Sequence, residues 1–156
     1  MDGDLLWIGS HHEGLYTFHL KTKEIKRITL PHPNVQAHNP RIHTLMIASD
    51  GNLYIGTRNE GLIIYNPRTN TQHSYNRENT PTHIISNFVA KIYEDSQKRV
   101  WIGFVNGKLI VYDPQTECFT KSQVTLPSTV DRLTINSITE DNRHNIWIGT
   151  HHYWLF

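Results

Sequence analysis

Asn52-Leu53-Tyr54-Ile55-Gly56-Thr57 contains the phrase on which the reading of this chain turns. Its aromatic-Ile-Gly core returns at Trp7-Ile8-Gly9, Trp101-Ile102-Gly103 and Trp147-Ile148-Gly149. Successive aromatic positions lie 47, 47 and 46 residues apart in a chain of 156 residues. A constant step of this size marks an architecture of stacked repeats.

Working outward from the phrase, each unit divides into four short segments. The segment before it is Ile42 to Ile47, Val89 to Glu94 and Ile135 to Glu140 in successive copies. The phrase itself, with Leu53, Val100 or Ile146 ahead of it, is the second. Leu15 to Phe18, Leu62 to Tyr65 and Leu109 to Tyr112 form the third; Glu24 to Thr29, Gln72 to Tyr75 and Cys118 to Lys121 form the fourth. All are rich in Ile, Val, Tyr, Phe and Thr, and none reaches helical length. Asp50-Gly51-Asn52 reads as a tight hairpin turn, and Asn66-Pro67-Arg68-Thr69 and Asp113-Pro114-Gln115-Thr116 as type I turns. Gly14, Gly61 and Gly107 stand just before the third segment. Four antiparallel strands per period make one β-propeller blade. A sandwich shares no phrase at a constant interval, and no stretch carries the 3.6-residue apolar period of a helical solenoid.

The units run over about residues 1–40, 41–86, 87–134 and a truncated 135–156. The expected fold is therefore all-β: a propeller fragment of about three four-stranded antiparallel blades, incomplete at both ends. Closed propellers need about four to eight blades. Open blade faces and sheet edges invite pairing, so self-association through the blade ends, or a longer parent chain, is expected.

These residues resemble the two-component regulator propeller repeat. The matching stretches are Glu94-Asp95-Ser96, Asn52 to Thr57, Gly61-Leu62 and Tyr112-Asp113-Pro114-Gln115-Thr116, with Glu140-Asp141 followed by Ile146 to Thr150. The chain carries neither the Gly-His and Trp-Asp pairing of WD repeats nor the paired glycines of kelch repeats. The resemblance implies a sensor region, periplasmic, from a hybrid two-component system of Bacteroides-like bacteria. It further implies a ligand that is a carbohydrate breakdown product, and a kinase elsewhere in the parent protein. Three departures from the pattern stand out. Trp154 replaces the expected glycine, Gly107 comes one residue early and should shorten its connection, and Leu155-Phe156 falls where a third strand would begin.

Fifteen Lys and Arg against 14 Asp and Glu leave no electrostatic case for nucleic acid or acidic lipid. Cys118, the single cysteine, excludes an intrachain disulfide and reads as a half-buried strand residue. No apolar run is long enough to span a membrane. Met1-Asp2-Gly3-Asp4 is acidic and unlike a signal peptide, so a periplasmic address would lie upstream.

Binding residues usually sit on loops over a rigid scaffold. In a propeller the connections from second to third strand, and from fourth strand to the next blade, gather around the central opening on one face. Arg58, Asn59, Asn106 and the pairs His11-His12 and His151-His152 lie there. Planar donors and aromatic surface suit an oligosaccharide, and these seven residues are the candidate ligand contacts. The plainer reading of each is a solvated turn residue.

Adjacent histidines in an extended segment point to opposite sides, so neither pair is expected to chelate, and no metal or cofactor is expected. Asp95 and Asp141 recur at matching turn positions, as do Glu94 and Glu140 before them, which marks them as scaffold. No nucleophile elbow or phosphate loop occurs, and no enzyme is expected. Trp7, Tyr54, Trp101 and Trp147 are assigned to packing between blades, with Gly9, Gly56, Gly103 and Gly149 as invariant parts of the unit.

Overall fold

The computed structural model describes residues 3–31, 39–80, 83–84, 86–121 and 133–150. Within these residues the chain is all strand and turn, in four antiparallel sheets that follow the repeat. Blade one has β1 (Leu5–Ser10), β2 (Gly14–His19) and β3 (Ile25–Ile28). Blade two has β4 (Ile42–Ile47), β5 (Leu53–Thr57), β6 (Leu62–Asn66) and β7 (Thr71–Tyr75). Blade three has β8 (Val89–Glu94), β9 (Val100–Phe104), β10 (Leu109–Asp113) and β11 (Cys118–Lys121). Blade four pairs β12 (Ile135–Glu140) with β13 (Ile146–Thr150). Strand order within every sheet is sequence order, and successive blades meet through β1 and β4, β4 and β8, then β8 and β12. This is the fan of a β-propeller, as the period predicts.

The sheets also share their irregularities. A register shift falls between Ile42 and Thr44, between Val89 and Lys91, and between Ile135 and Ser137. Such a bulge adds one residue and bends the strand, here at the same place in three blades. The turn after each first strand is likewise one geometry repeated. Ala48 N donates to Asn52 O at 3.0 Å, Asp95 N to Arg99 O at 2.9 Å and Asp141 N to Asn145 O at 3.0 Å. Its left-handed position holds Gly51 (φ 85°), Lys98 (φ 67°) and His144 (φ 65°). Only the first of these is the residue type that adopts this conformation without steric cost. In the proline turns Asn66 Oδ1 accepts from Arg68 N at 2.9 Å and Asp113 Oδ1 from Gln115 N at 2.9 Å.

Glycine in the phrase is required by the approach of the next blade. A Cβ on Gly9 would lie 2.4 Å from Ile42 Cγ2, on Gly56 2.7 Å from Val89 Cγ1, and on Gly103 2.7 Å from Ile135 Cγ2. Ile42, Val89 and Ile135 each open the first strand of the following blade, so its leading side chain sits in the glycine's gap.

Around this contact three cores form. Trp7 packs with Leu15, Ile42, Leu53 and Tyr65; Tyr54 with Leu62, Val89, Ile102 and Tyr112; Trp101 with Val111, Ile135 and Ile138. Tyr54 is 1% exposed and Trp101 7%, and Ile55 and Ile102 are fully buried. Each such isoleucine is worth about 1.5–3 kcal/mol relative to exposure.

Carboxylates tie the blades together at the opposite end of the first strand. Glu94 of blade three accepts from Ser49 N (2.8 Å) and Ser49 Oγ (2.6 Å) of blade two. Glu140 of blade four accepts from Ser96 N and Oγ of blade three, both at 2.7 Å. Asp95, beside Glu94, is buried and accepts from Trp101 Nε1 at 2.8 Å; Asp141 does the same for Trp147 at 2.9 Å. The Glu-Asp pair of blades three and four is thus one clamp across the junction and one anchor within the blade.

Several expectations need correction. Trp147 is 49% exposed, because no described blade lies beyond β13, and Leu6 (50%) and Ile8 (39%) are open on the far face of β1. Cys118 is exposed at the start of β11 and pairs with Asp113, so it is not half-buried. The early Gly107 does not shorten its connection. Phe104 N bonds Lys108 O at 2.9 Å just as Thr57 N bonds Gly61 O at 3.0 Å, and the positive φ has moved one place forward. Trp154, Leu155 and Phe156 lie outside the described residues.

Candidate functional site

The loops between second and third strands are shaped by their own side chains. Ser10 Oγ accepts from His12 N (3.3 Å) and Glu13 N (3.1 Å), which folds residues 11–13 into a turn. Thr57 Oγ1 donates to Gly61 O (2.9 Å) and accepts from Glu60 N (2.8 Å), closing the loop that carries Arg58. The loops of blades two and three are also held to the residue just before their blade's first strand. Arg58 N donates to Arg41 O at 2.9 Å, and Val105 N to Phe88 O at 3.3 Å.

These ties bring side chains from three blades to one rim. Arg58 Nη1 lies 3.3 Å from Nε2 of His11 in blade one. Its guanidinium carbon stands 5.6 Å from the centroid of the Phe88 ring in blade three, a cation–π contact. His43, at the bulge of β4, meets the same ring edge-on with centroids 4.9 Å apart. His11 and His12 also come together, with Nδ1 and Nε2 3.3 Å apart and rings 4.7 Å apart. The expectation that adjacent histidines diverge fails because the segment is a turn, not a strand. Among the described residues no three or more His, Cys, Asp or Glu converge as metal ligands would.

The rim is basic. Desolvation, then His12, Arg58, Arg41 and His43, push the His11 imidazole below its ordinary pKa. Desolvation and then Arg58 do the same to His43. Both effects disfavour the imidazolium, the first by removing water and the second by like charge.

Of the seven candidate contacts, His11, His12 and Arg58 converge. Asn59 is exposed on the Arg58 loop, while Asn106 Oδ1 accepts from Lys108 N at 3.3 Å and serves its own turn. His151 and His152 lie outside the described residues. Arg41, His43 and Phe88 were missed by reading loops alone. The repeat register could have found two of them: Arg41 and Phe88 stand one period apart, as do His11, Arg58 and Val105.

Two cavities lie between blades, the first of them reaching Glu60 in the Arg58 loop and Pro40 beside Arg41. One of about 290 Å³ between blades one and two is lined by Arg27, Asn39, Glu60 and Gln72. The other, about 190 Å³ between blades two and three, is lined by Asp50, Asn52, Tyr54, His73 and Tyr112. Gln72 Oε1 and Asn52 Oδ1 are buried there without a hydrogen-bond partner among the described residues. Cavities of this size with buried polar atoms suit ordered water.

Three stretches, residues 36–59, 83–106 and 131–152, match the family model described as two component regulator propeller. Each covers the first two strands of a blade and the turn between them. No curated protein matches the chain. Among solved structures, two crystal structures of one extracellular domain from B. thetaiotaomicron align over 96% of this chain. That domain is described in one as part of a one-component system, with 28% identity and a TM-score of 0.73. In the other it is described as part of a hybrid two-component system, with 26% identity and a TM-score of 0.72. The extracellular domain of a second hybrid two-component system from that organism shares the fold over 95% of the chain, with 23% identity and a TM-score of 0.62. The chain spans 19% of the length of the first two structures and 24% of the third. No helix among the described residues is long and apolar enough to cross a membrane.

Proposed function

From a chain that carries two-component regulator propeller repeats, we infer a sensor segment: propeller blades that bind a ligand outside the cytoplasm for a hybrid two-component receptor. The ligand in this reading is an oligosaccharide released from a complex carbohydrate, and the compartment is the periplasm. One observation carries it, the meeting of His11, Arg58 and Phe88 from three successive blades at a single rim. Imidazole and guanidinium groups donate to hydroxyls, and an aromatic ring offers a face or edge to C–H groups. A ligand bridging these residues touches three blades at once. Occupancy would then fix the angle between blades, a rigid-body change that a distant kinase can read.

The segment binds its ligand and leaves it unchanged. The recurrent carboxylates that could act as acid or base are occupied by Trp indoles and Ser hydroxyls. Histidine-observed NMR during titration with a panel of neutral and acidic oligosaccharides tests the reading. At least one sugar should shift the His11 and His43 signals and raise the melting temperature. A panel that moves neither signal, or moves only residues on the opposite end of the blades, refutes it.

A second reading has its own support. Leu6, Ile8 and Trp147 expose apolar surface on the two outer blade faces, which suits a role in receptor self-association without ligand contact.

A further inference from the structure

Three ion pairs are formed elsewhere among the described residues. Arg99 Nη2 lies 2.7 Å from Asp95, His144 Nδ1 lies 2.9 Å from Glu140, and Lys21 bonds Asp4. What sets the rim apart is that its cationic groups gather from two blades around one aromatic ring. Arg41 and Arg58 are exposed, and among the described residues neither has a carboxylate partner. The charged groups that act on His11 are His12, Arg58, Arg41 and His43, and the one that acts on His43 is Arg58. The chain as a whole is balanced, 15 Lys and Arg against 14 Asp and Glu, and the same loops carry Glu13 and Glu60, so the rim's cationic character rests on the groups that meet there, His11, Arg58 and His43. Like charges held close cost free energy that an anion between them would remove.

The cationic character is also one-sided. At the position of His11 and Arg58, blade three has Val105; at the position of Arg41 it has Phe88. Going around the rim, cationic surface gives way to partly buried apolar surface over a single blade step. Phe88 meanwhile holds the Arg58 guanidinium in place from one side, so its fork is set before any ligand arrives.

We propose that Arg41, Arg58, His11 and His43, arranged around Phe88, form an anion-recognising subsite for a sugar that bears a carboxylate or sulfate group. The proposal rests on the ligand-binding reading of the same rim and narrows its substrate class. A guanidinium presents two parallel N–H groups to two oxygens of one acid. His11 Nε2 accepts from Arg58 Nη1 at 3.3 Å in the free site, and its protonation would release Nη1 and let both groups donate to the same acid. An acidic pyranose has the matching division, charge at one edge and C–H surface at the other, the latter falling toward Phe88 and Val105. Nucleic acid is the poorer fit, because the basic groups do not continue as a stripe into blade three. Anion binding also stabilises the imidazolium of His11 and His43, so affinity should increase as pH falls.

Titration of the chain with a galacturonate trimer, its neutral galactose counterpart and inorganic sulfate tests this, read by imidazole NMR shifts and calorimetry. The acidic trimer should bind at least about tenfold more tightly than the neutral one, and more tightly at about pH 6 than at about pH 8. Arg58→Gln should lower its affinity about tenfold or more, with Arg58→Lys intermediate because charge remains without the fork. Lys98→Gln, at the opposite end of the blades, should leave it unchanged. Melting curves of each variant confirm that it folds. Equal affinity for both trimers overturns the acidic subsite and leaves the broader ligand reading standing. Acidic-trimer binding that survives both Arg58→Gln and Arg41→Gln overturns it as well. Sulfate shifting the imidazoles while no sugar does refutes the sugar and leaves an inorganic anion site. If neither trimer nor sulfate moves the imidazoles, the subsite is refuted, and the broader reading is decided by the wider panel.

Discussion

Single atoms decide whether two blades meet. Gly103→Ala would set a methyl 2.7 Å from Ile135 Cγ2 and 2.9 Å from its Cβ, inside van der Waals contact. Overpacking of this kind costs about 1–3 kcal/mol. Denaturant unfolding should show that loss, and Ile135→Ala in the same background should cost less than it does alone, since each change relieves the other. Asp95→Ala should cost about 3 kcal/mol, because it leaves the buried Trp101 Nε1 and the Arg99 guanidinium without their acceptor. Asp95→Asn should recover part of that, since an amide oxygen still accepts the indole proton. Lys98→Gly should gain roughly 0.5–1 kcal/mol by relieving φ 67° at an exposed turn position where blade two already has Gly51.

Strands and turns behave as interchangeable parts, and a glutamate clamp at the ends of β8 and β12 joins the last two blades to their predecessors. Bonds from the Ser96 hydroxyl, the Ser96 amide and His144 hold the Glu140 carboxyl below its ordinary pKa of 4.5. A folded-state pKa depressed in this way adds stability that is present above the unfolded value and lost as pH falls below it. Glu140→Gln should therefore lower the melting temperature at neutral pH, and the difference from the parent should close below about pH 4. A difference that stayed constant through the acidic range would mean the clamp works by shape alone. Most of this level was legible beforehand. β4, β8 and β12 begin and end at the residues where the repeat places its first segment. The clamp was visible only as a recurring Glu-Asp, because its partner serine lies 44 or 45 residues earlier in the chain. Pairing across that distance is set by how blades stack, which no local pattern encodes.

At the scale of the molecule, the rim and the two outer faces are what the repeat leaves undetermined. The phrase placed Trp147 in a core by analogy with Trp101, yet burial of that position depends on the blade that follows it. Arg58 and His11 were legible as loop residues. Their contact was not, since His43 lies in β4 and Phe88 just before β8, where both read as scaffold. The exposed Leu6, Ile8 and Trp147 carry a prediction of their own. Sedimentation velocity should show concentration-dependent self-association, and Ile8→Ser with Trp147→Ser should shift the chain toward the monomer. A parent chain that stays monomeric across the accessible range would contradict it.

Gly9, Gly56 and Gly103 receive Ile42, Val89 and Ile135 through one and the same fit. Every junction is therefore a standard coupling, with the socket on one unit and the plug on its successor. Copying a whole period in register duplicates a socket together with its plug, so the added blade meets both neighbours correctly from the first generation. Shifting the copied boundary by a few residues breaks the pairing at once. Growth by duplication is thereby confined to whole periods, while loop positions outside this glycine fit stay free to diverge copy by copy.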